Sequence, residues 1–392
     1  MFSRGERLTL CPPLTLIDLF SGCGGASVGF KEAGFKIVAA VDIDRSACES
    51  YAMNVGVQPI EGDLRNVTGE QILKQTGLER GEVDVVVGCP PCQGFSSLRR
   101  TRKGDSRDHR DDLLMMFARR IAEIFPRMVI FENVPGIMQG RGKAFLRKFI
   151  KKLERHGYFP IGKLLDAANF GVPQHRKRLI IIFTREEAIT GDLLPILPWE
   201  THADPHLARD ESLLPWVTVR DSIADLPPLK SGEKHPTIPL HEAADHGENA
   251  LRIIKNIPKN GGSRKSLPSH LWLPCHKKMR GRGAESVYGR MVWLKPSATI
   301  TSRCTVPACG RFIHPDQDRG ITPREAARLQ SFDDNCKFDG SKESITWQIG
   351  NAMPPTLATA IGTAVHPQEK SRKGELLRYR ILQKIRKLVL FN

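Results

Sequence analysis

The strongest constraint on the fold is an alternation of short apolar runs and helical patterns between residues 14 and 183. Apolar residues recur at helical spacing between the runs, as in 111–125. Such an alternation is typical of a parallel α/β sheet covered by helices on both faces. Five runs have the length and composition of buried strands: 14–18, 35–42, 83–88, 128–132 and 179–183.

The regular pattern stops near residue 186 and returns near residue 322. The intervening sequence is rich in Pro and Gly and shows no periodic helix or strand, which predicts a smaller, irregular inserted domain. Thr322-Pro323-Arg324-Glu325 has the form of a helix-capping box, and a helix at 356–365 is expected to return to the first domain. The predicted divisions are a first domain at 1–185, the insertion at 186–289, a return segment at 290–365 and a basic helical tail at 366–392.

Charge is the next informative feature. The chain has 392 residues and a formal net charge of +16, which favours a polyanionic partner. Residues 250–289 carry nine Lys or Arg and one Glu among several glycines, whereas 190–249 is acidic. We therefore expect 250–289 to contact a nucleic acid. Nine cysteines indicate reduced thiols, and no apolar run has the length of a signal peptide or a membrane span, so we predict a cytoplasmic protein.

The first predicted strand leads into a glycine-rich turn, Asp18-Leu-Phe-Ser-Gly-Cys-Gly-Gly, that opens a helix. Turns of this kind let a ligand approach the backbone at a helix N-terminus. Asp42 ends the next strand, where a carboxylate can accept ribose hydroxyls, although Asp42 or Asp44 could instead cap the following helix. Glu61-Gly62-Asp63 offers an acceptor for an exocyclic amine. These strand ends together indicate an adenosine-containing cofactor.

A thiol and a carboxylate follow two neighbouring predicted strands. Cys92 comes after the strand at 83–88, and Glu132 ends the strand at 128–132. A thiolate beside a glutamic acid can add to a ring carbon while the acid contacts a ring nitrogen, although Glu132 could also support a helix N-terminus. Arg176 and Arg178 are expected to project to one face and grip an anion.

Two other readings of the cysteines are disfavoured. Cys89 and Cys92 form a Cys-x-x-Cys pair, but the prolines between them and the basic loop that follows are not typical of a thiol oxidoreductase. A zinc site that adds Cys304 and Cys309 lacks the tight spacing of a zinc knuckle. We expect no metal.

With these elements in order, the chain resembles a DNA (cytosine-5)-methyltransferase of the prokaryotic restriction-modification type. The resemblance covers residues 14–365. Beyond the turn that starts at Asp18, it rests on Pro91-Cys92-Gln93, Glu132-Asn133-Val134, Gln174-x-Arg176-x-Arg178, the segment from Arg290 through Lys295-Pro-Ser-Ala-Thr-Ile-Thr, and Gly350-Asn351-Ala-Met-Pro-Pro.

The resemblance implies a Rossmann-like, S-adenosylmethionine-dependent catalytic domain at 1–185 and a target-recognition domain at 186–289. It implies that Cys92 is the nucleophile, that Glu132 contacts cytosine N3, and that Arg176 and Arg178 orient the base and the glutamate. The residues implied to bind the cofactor are Phe20, Gly22, Gly24, Asp42, Asp63 and Asn351.

The expected reaction is methylation of cytosine C5 in duplex DNA, after the base has been extruded from the helix. A cognate restriction endonuclease and association with the nucleoid are further expectations. An RNA cytosine-5 methyltransferase and a catalytically silent DNA-binding module stay open as alternatives. The candidate DNA contacts are Arg99, Arg100, Arg252, Lys255, Arg264, Lys277, Arg280 and Arg282.

Overall fold

The computed structural model describes residues 12–91, 111–190, 193, 196–206, 211–273 and 286–366. Among these residues, no helix combines the length and apolar character needed to cross a bilayer. The strands are β1 (Thr15–Leu19), β2 (Lys36–Asp42), β3 (Ile60–Glu61), β4 (Val85–Gly88), β5 (Met128–Asn133), β6 (Tyr158–Asp166), β7 (Lys177–Arg185), β8 (His202–Ala203) and β9 (Leu214–Pro215). The α-helices are α1 (Gly25–Glu32), α2 (Arg45–Val55), α3 (Gly69–Thr76), α4 (Asp111–Ile124), α5 (Gly140–Glu154), α6 (Glu186–Thr190), α7 (Val219–Ile223), α8 (Glu248–Lys255), α9 (Pro323–Leu329), α10 (Lys342–Asn351) and α11 (Pro355–Val365).

The main sheet has seven strands in the order β3-β2-β1-β4-β5-β7-β6. Strands β3, β2, β1, β4 and β5 pair in parallel with one another, which confirms the α/β prediction. The prediction of an entirely parallel sheet was wrong at one strand, because β7 is antiparallel to both β5 and β6. The sheet is therefore mixed at the edge beyond β5.

Successive strand residues face opposite sides of the sheet, and each side has its own apolar core. Leu16 of β1 packs with Phe30 and Leu357 on the side covered by α1, α2 and α11. Ile17 packs on the other side, where α4 and α5 contribute Phe117 and other large apolar side chains. Both faces of the sheet are covered, as near-continuous apolar strands require.

The last helix returns to the first part of the chain, as the sequence predicts. Helix α11 packs along α1 so closely that a Cβ on Gly29 would lie 2.1 Å from the Pro355 carbonyl oxygen. Helix α9 begins with the predicted capping box, in which Thr322 accepts a hydrogen bond from the Glu325 backbone N–H and Glu325 accepts one from the Thr322 backbone N–H. The return segment thus completes the core of the sheet domain.

The segment beyond β7 contains more regular structure than its sequence indicates. Helices α7 and α8 both lie in the part predicted to lack periodic elements, so that prediction was wrong there. Helix α8 buries Ile253 and Ile254 in a small core with Leu267 and Tyr288. A separate core joins Val219 of α7 to residues of the return segment.

Candidate active site

The carboxyl ends of β1 and β4 lie at the point in the sheet where the strand order reverses. Strand β1 pairs in parallel with β2 on one side and with β4 on the other, so the connections on its two sides lead away from each other. In open α/β sheets, ligands bind outside the strand ends at this position. The residues around this rim are therefore the candidate site.

A turn of unusual backbone conformation follows β1. Phe20, Gly22 and Gly24 have φ values of 65°, 52° and 92°, and Gly24 directly precedes α1. The Phe20 and Ser21 backbone N–H groups both donate to the Val41 carbonyl oxygen, at 3.0 and 3.1 Å. The turn is thereby fixed to β2, with the N-terminus of α1 opening at the rim.

Asp42 holds the same turn through its carboxylate. One of its oxygens accepts a hydrogen bond from the Gly22 backbone N–H at 2.7 Å and the other from the Asp44 backbone N–H at 3.0 Å. Burial raises the pKa of Asp42, and these two hydrogen bonds oppose the rise. Asp44 accepts from the Ala47 N–H and caps α2. Asp44 is therefore the helix cap, and Asp42 faces the turn.

A buried polar chain lies beneath the turn, and sequence reasoning did not assign it a role. The Tyr51 hydroxyl donates to Ser27 Oγ at 2.7 Å, and Ser27 Oγ donates to one Asp18 oxygen at 2.6 Å. The other oxygen, Asp18 Oδ1, is buried and has no hydrogen-bond partner in the described part of the chain. Desolvation raises the pKa of Asp18 to about 7, although the Ser27 hydrogen bond lowers it. The sequence feature that could have revealed this chain is Asp18 itself, an aspartate within an otherwise apolar strand.

The remaining candidate cofactor residues lie on neighbouring segments. Asp63 forms an ion pair with Arg65, whose hydrogen bonds lower the pKa of Asp63. Asn351 is exposed at the end of α10. Two residues further on, the Met353 carbonyl oxygen would lie 2.4 Å from a Cβ on Gly25. The end of the return segment therefore adjoins the turn after β1.

Ile43 is a rim residue that the sequence analysis did not single out. Its side chain is 65% exposed directly after Asp42, although most large apolar side chains of the sheet domain are buried. An exposed apolar side chain beside a polar turn suits a ligand that has a flat apolar ring.

Glu132 and Arg178 form a close ion pair at the carboxyl end of β5. Arg178 Nε lies 2.6 Å from Glu132 Oε1, and both side chains are largely buried. The neighbouring Asn133 side chain donates to the Pro90 carbonyl oxygen at 3.3 Å. This contact places the chain two residues before Cys92 next to the strand end that carries Glu132. Cys92 itself lies outside the described residues.

Arg176 has different partners from Arg178. Its buried guanidinium donates to the carbonyl oxygens of Ile300, Gly350 and Ala352 at 2.8 to 3.0 Å. Arg176 therefore ties two parts of the return segment to the start of β7, while Arg178 reaches Glu132. A role for Arg176 in orienting the base stays a prediction.

The candidate DNA contacts fall into three groups. Arg252 and Lys255 are exposed on the last turn of α8. Arg264 is 4% exposed, with its guanidinium 5.5 Å from the centre of the Trp272 ring, so it packs within the protein. The others lie outside the described residues: Arg99, Arg100, Lys277, Arg280 and Arg282.

Arg290 was quoted for the resemblance but given no role. It is fully buried and donates to the carbonyl oxygens of Ile254 and Ile257, at the C-terminal end of α8. It also donates to the His314 carbonyl at 3.0 Å and lies 2.5 Å from Asp318 Oδ1. One side chain thus fastens α8 to the 314–318 loop.

The sheet, the glycine turn and the polar rim define an α/β methyltransferase fold. The model of the C-5 cytosine-specific DNA methylase family matches residues 14–366. The chain belongs to this family and is a DNA (cytosine-5-)-methyltransferase, which confirms the resemblance inferred from the motifs.

Its relatives include the Type II methyltransferase M1.HphI of Haemophilus parahaemolyticus, 34% identical over 365 residues that cover 93% of this chain and 90% of the relative. The Type II methylase M.HgiDII of Herpetosiphon aurantiacus is 34% identical over 357 residues, covering 89% and 94% of the two chains. Among solved structures, the Dnmt2 methyltransferase of S. pombe has a TM-score of 0.55 at 17% identity, covering 90% and 98% of the two chains, and shares the fold.

Proposed function

We propose that the protein transfers a methyl group from S-adenosylmethionine to C5 of a cytosine within a short duplex DNA sequence, through a covalent bond between Cys92 and C6. The observation that carries the proposal is the buried Glu132–Arg178 pair beside the strand end that leads to Cys92. This pair places a fixed carboxyl group at the rim where the flipped base would enter.

The residues at the β1 and β2 ends fit S-adenosylmethionine. The turn at Phe20, Gly22 and Gly24 offers backbone at the N-terminus of α1, and the Asp42 oxygens each keep a lone pair for a ribose hydroxyl. The buried Asp18 oxygen needs a donor, and the exposed Ile43 side chain suits an adenine ring. When bound, this cofactor supplies a methyl group that is already activated on a sulfonium.

Asp63 and Asn351 complete the proposed cofactor site. Asp63 would accept a hydrogen bond from the adenine amine, sharing its carboxylate with Arg65. Asn351 lies beside the turn and would contact the methionine end. The family resemblance suggests both assignments, and the side chains have the hydrogen-bonding groups that these roles need.

The chain's own groups would act in a fixed order. The Cys92 thiolate adds to C6 of the extruded cytosine while Glu132, held by Arg178, stabilises the form of the base that is protonated at N3. Addition at C6 makes C5 nucleophilic. After methylation, loss of the C5 proton re-forms the double bond to C6 and releases the thiolate.

The relatives named above are Type II enzymes, which supports a cognate restriction endonuclease that acts on the same sequence. A substrate of this kind would place the protein in the cytoplasm with the nucleoid. The exposed Arg252 and Lys255 on α8 are the described candidates for contact with that DNA.

Bisulfite sequencing tests this function. Mixed-sequence duplex DNA would be incubated with the protein and S-adenosylmethionine, in parallel with a transfer RNA reaction and with Cys92→Ser. We expect protected cytosines at one recurring short DNA sequence and none with the variant. Protection confined to the RNA would assign the alternative substrate, and cofactor binding without any protection would indicate a silent DNA-binding module.

A further inference from the structure

Helix α5 carries a basic face that no step of the proposed reaction uses. Its sequence from Gly140 through the C-cap Arg155 contains seven Lys or Arg and one Glu. Leu146, Phe149 and Leu153 occupy its buried side. The basic residues lie on the remaining surface, exposed or partly exposed: Arg141, Lys143, Arg147, Lys148, Lys151, Lys152 and Arg155.

Six of these seven cations have no carboxylate partner among the described residues. Within the described ranges, no carboxylate lies within 4.0 Å of Lys143, Arg147, Lys148, Lys151, Lys152 or Arg155. The adjacent helix α4 differs, because Glu123 pairs with both Arg119 and Arg120. The lack of pairing on α5 is therefore not general to this side of the sheet.

The arrangement is unfavourable for the helix alone. Lys143, Arg147 and Lys151 form successive i,i+4 pairs of like charge, and such pairs repel. The first turn holds no acidic residue, so its cations also oppose the helix dipole. A bound polyanion would relieve both effects.

The position of α5 connects this face to the substrate. The helix begins seven residues after Asn133, at the rim that holds Glu132, and then runs back along the outside of the sheet. A length of 15 residues corresponds to about 22 Å of helix. DNA that leaves the site can therefore meet a row of cations that starts at the rim.

We propose that the basic face of α5 binds the phosphate backbone of double-helical DNA outside the target sequence. The inference rests on the proposed function in that the substrate is duplex DNA. The face would increase affinity for long DNA without contributing to base recognition, because Lys and Arg contacts to phosphates carry no direct sequence information.

The test compares two duplexes that contain the same target, one that just covers it and one several times longer. The α5 variant replaces one row of cations, Lys143→Gln, Arg147→Gln and Lys151→Gln. The matched control replaces three exposed lysines elsewhere, Lys36→Gln, Lys74→Gln and Lys337→Gln. Dissociation constants are measured by fluorescence anisotropy over a range of salt concentrations, and kcat is measured on the short duplex.

We expect the wild type and the control to bind the long duplex more tightly than the short one. In the α5 variant, the gain in affinity from the short to the long duplex should be smaller by a factor on the order of ten. Its salt slope should fall by about 0.9 for each lost phosphate contact. Its kcat on the short duplex should be unchanged.

An unchanged gain in affinity with duplex length and an unchanged salt slope would overturn the proposal. A charge-preserving variant, Lys143→Arg, Arg147→Lys and Lys151→Arg, should bind like the wild type, which separates charge from folding. Failure of the proposed function would look different, because the wild type would then methylate neither duplex while the binding measurements still reported on α5.

Discussion

Arg178 Nε lies 2.6 Å from Glu132 Oε1, across the antiparallel pairing of β7 with β5. The antiparallel direction of β7 brings its first residues to the carboxyl end of β5, so an arginine at the start of one strand meets a glutamate at the end of the other. A parallel β7 would carry Arg178 to the opposite end of the sheet. The antiparallel direction of β7 therefore allows Arg178 to pair with Glu132.

Replacing Arg178 should impair catalysis more than binding. Arg178→Ala leaves Glu132 largely buried without its partner, and we expect kcat to fall by about 10² to 10⁴, the range typical of a displaced acid–base group. Single-turnover methylation assays measure the change. Lys177→Ala, at the exposed neighbouring position, should retain kcat. Equal losses in both variants would contradict the assignment.

Asp18 should make the stability of the fold pH-dependent. Its pKa is raised from 3.8 to about 7, so the folded state keeps a proton that the unfolded state loses. The free energy of unfolding should therefore decline as pH rises from about 4 to 7, by up to roughly 4 kcal/mol, and then level off. Urea unfolding at pH 5 and pH 8 measures this decline. The decline should be smaller in Asp18→Asn, and an identical pH dependence in both proteins would contradict the account.

Arg290 should stabilise the α8 region. Arg290→Ala leaves Asp318 with Lys259 as its partner and removes the donor of several buried carbonyl oxygens, at a cost of about 1–3 kcal/mol for each oxygen left unsatisfied. Hydrogen exchange should rise in α8 before it rises in β1 or β4. The matched substitution Arg303→Ala, at an exposed position of the return segment, should leave exchange in α8 unchanged. Uniform faster exchange across the sheet would show that Arg290 has no local role.

The basic face of α5 should lower the stability of the free protein. Substituting Lys143, Arg147 and Lys151 by Gln removes the repulsion of two like-charge i,i+4 pairs and should raise the free energy of unfolding by roughly 0.5–1 kcal/mol at low salt. Thermal unfolding at low and high salt measures the gain, which should shrink as salt screens the charges. A loss of stability at low salt would contradict the interpretation of these charges.

The sequence predicted five sheet strands because their runs are short, apolar and separated by helical patterns. It missed β6, where Pro160 and Gly162 interrupt the run; an edge strand tolerates both residues. The direction of β7 could not be derived, since it depends on how the chain returns through α5 and β6. Helix α8 is too short for a clear periodic signal.

Some residues of the candidate site could likewise be predicted from the sequence, and others could not. Asp42, Glu132 and Arg178 were predicted because polar residues at the ends of buried strands stand out in the sequence. Arg290 was not assigned a role, because burial of an arginine depends on carbonyl groups that only the folded chain brings together. Ile43 was missed because exposure cannot be read from a single apolar residue.

The most direct test of the account is covalent capture of the target base. Duplex DNA with 5-fluorocytosine at the methylated position would be incubated with the protein and S-adenosylmethionine, and intact mass would be measured under denaturing conditions. Fluorine at C5 prevents loss of the C5 proton, so we expect a stable protein–DNA species whose linkage maps to Cys92, with none from Cys92→Ser. Methylation of ordinary DNA without such a species, or the same species from the variant, would contradict a mechanism in which Cys92 attacks cytosine.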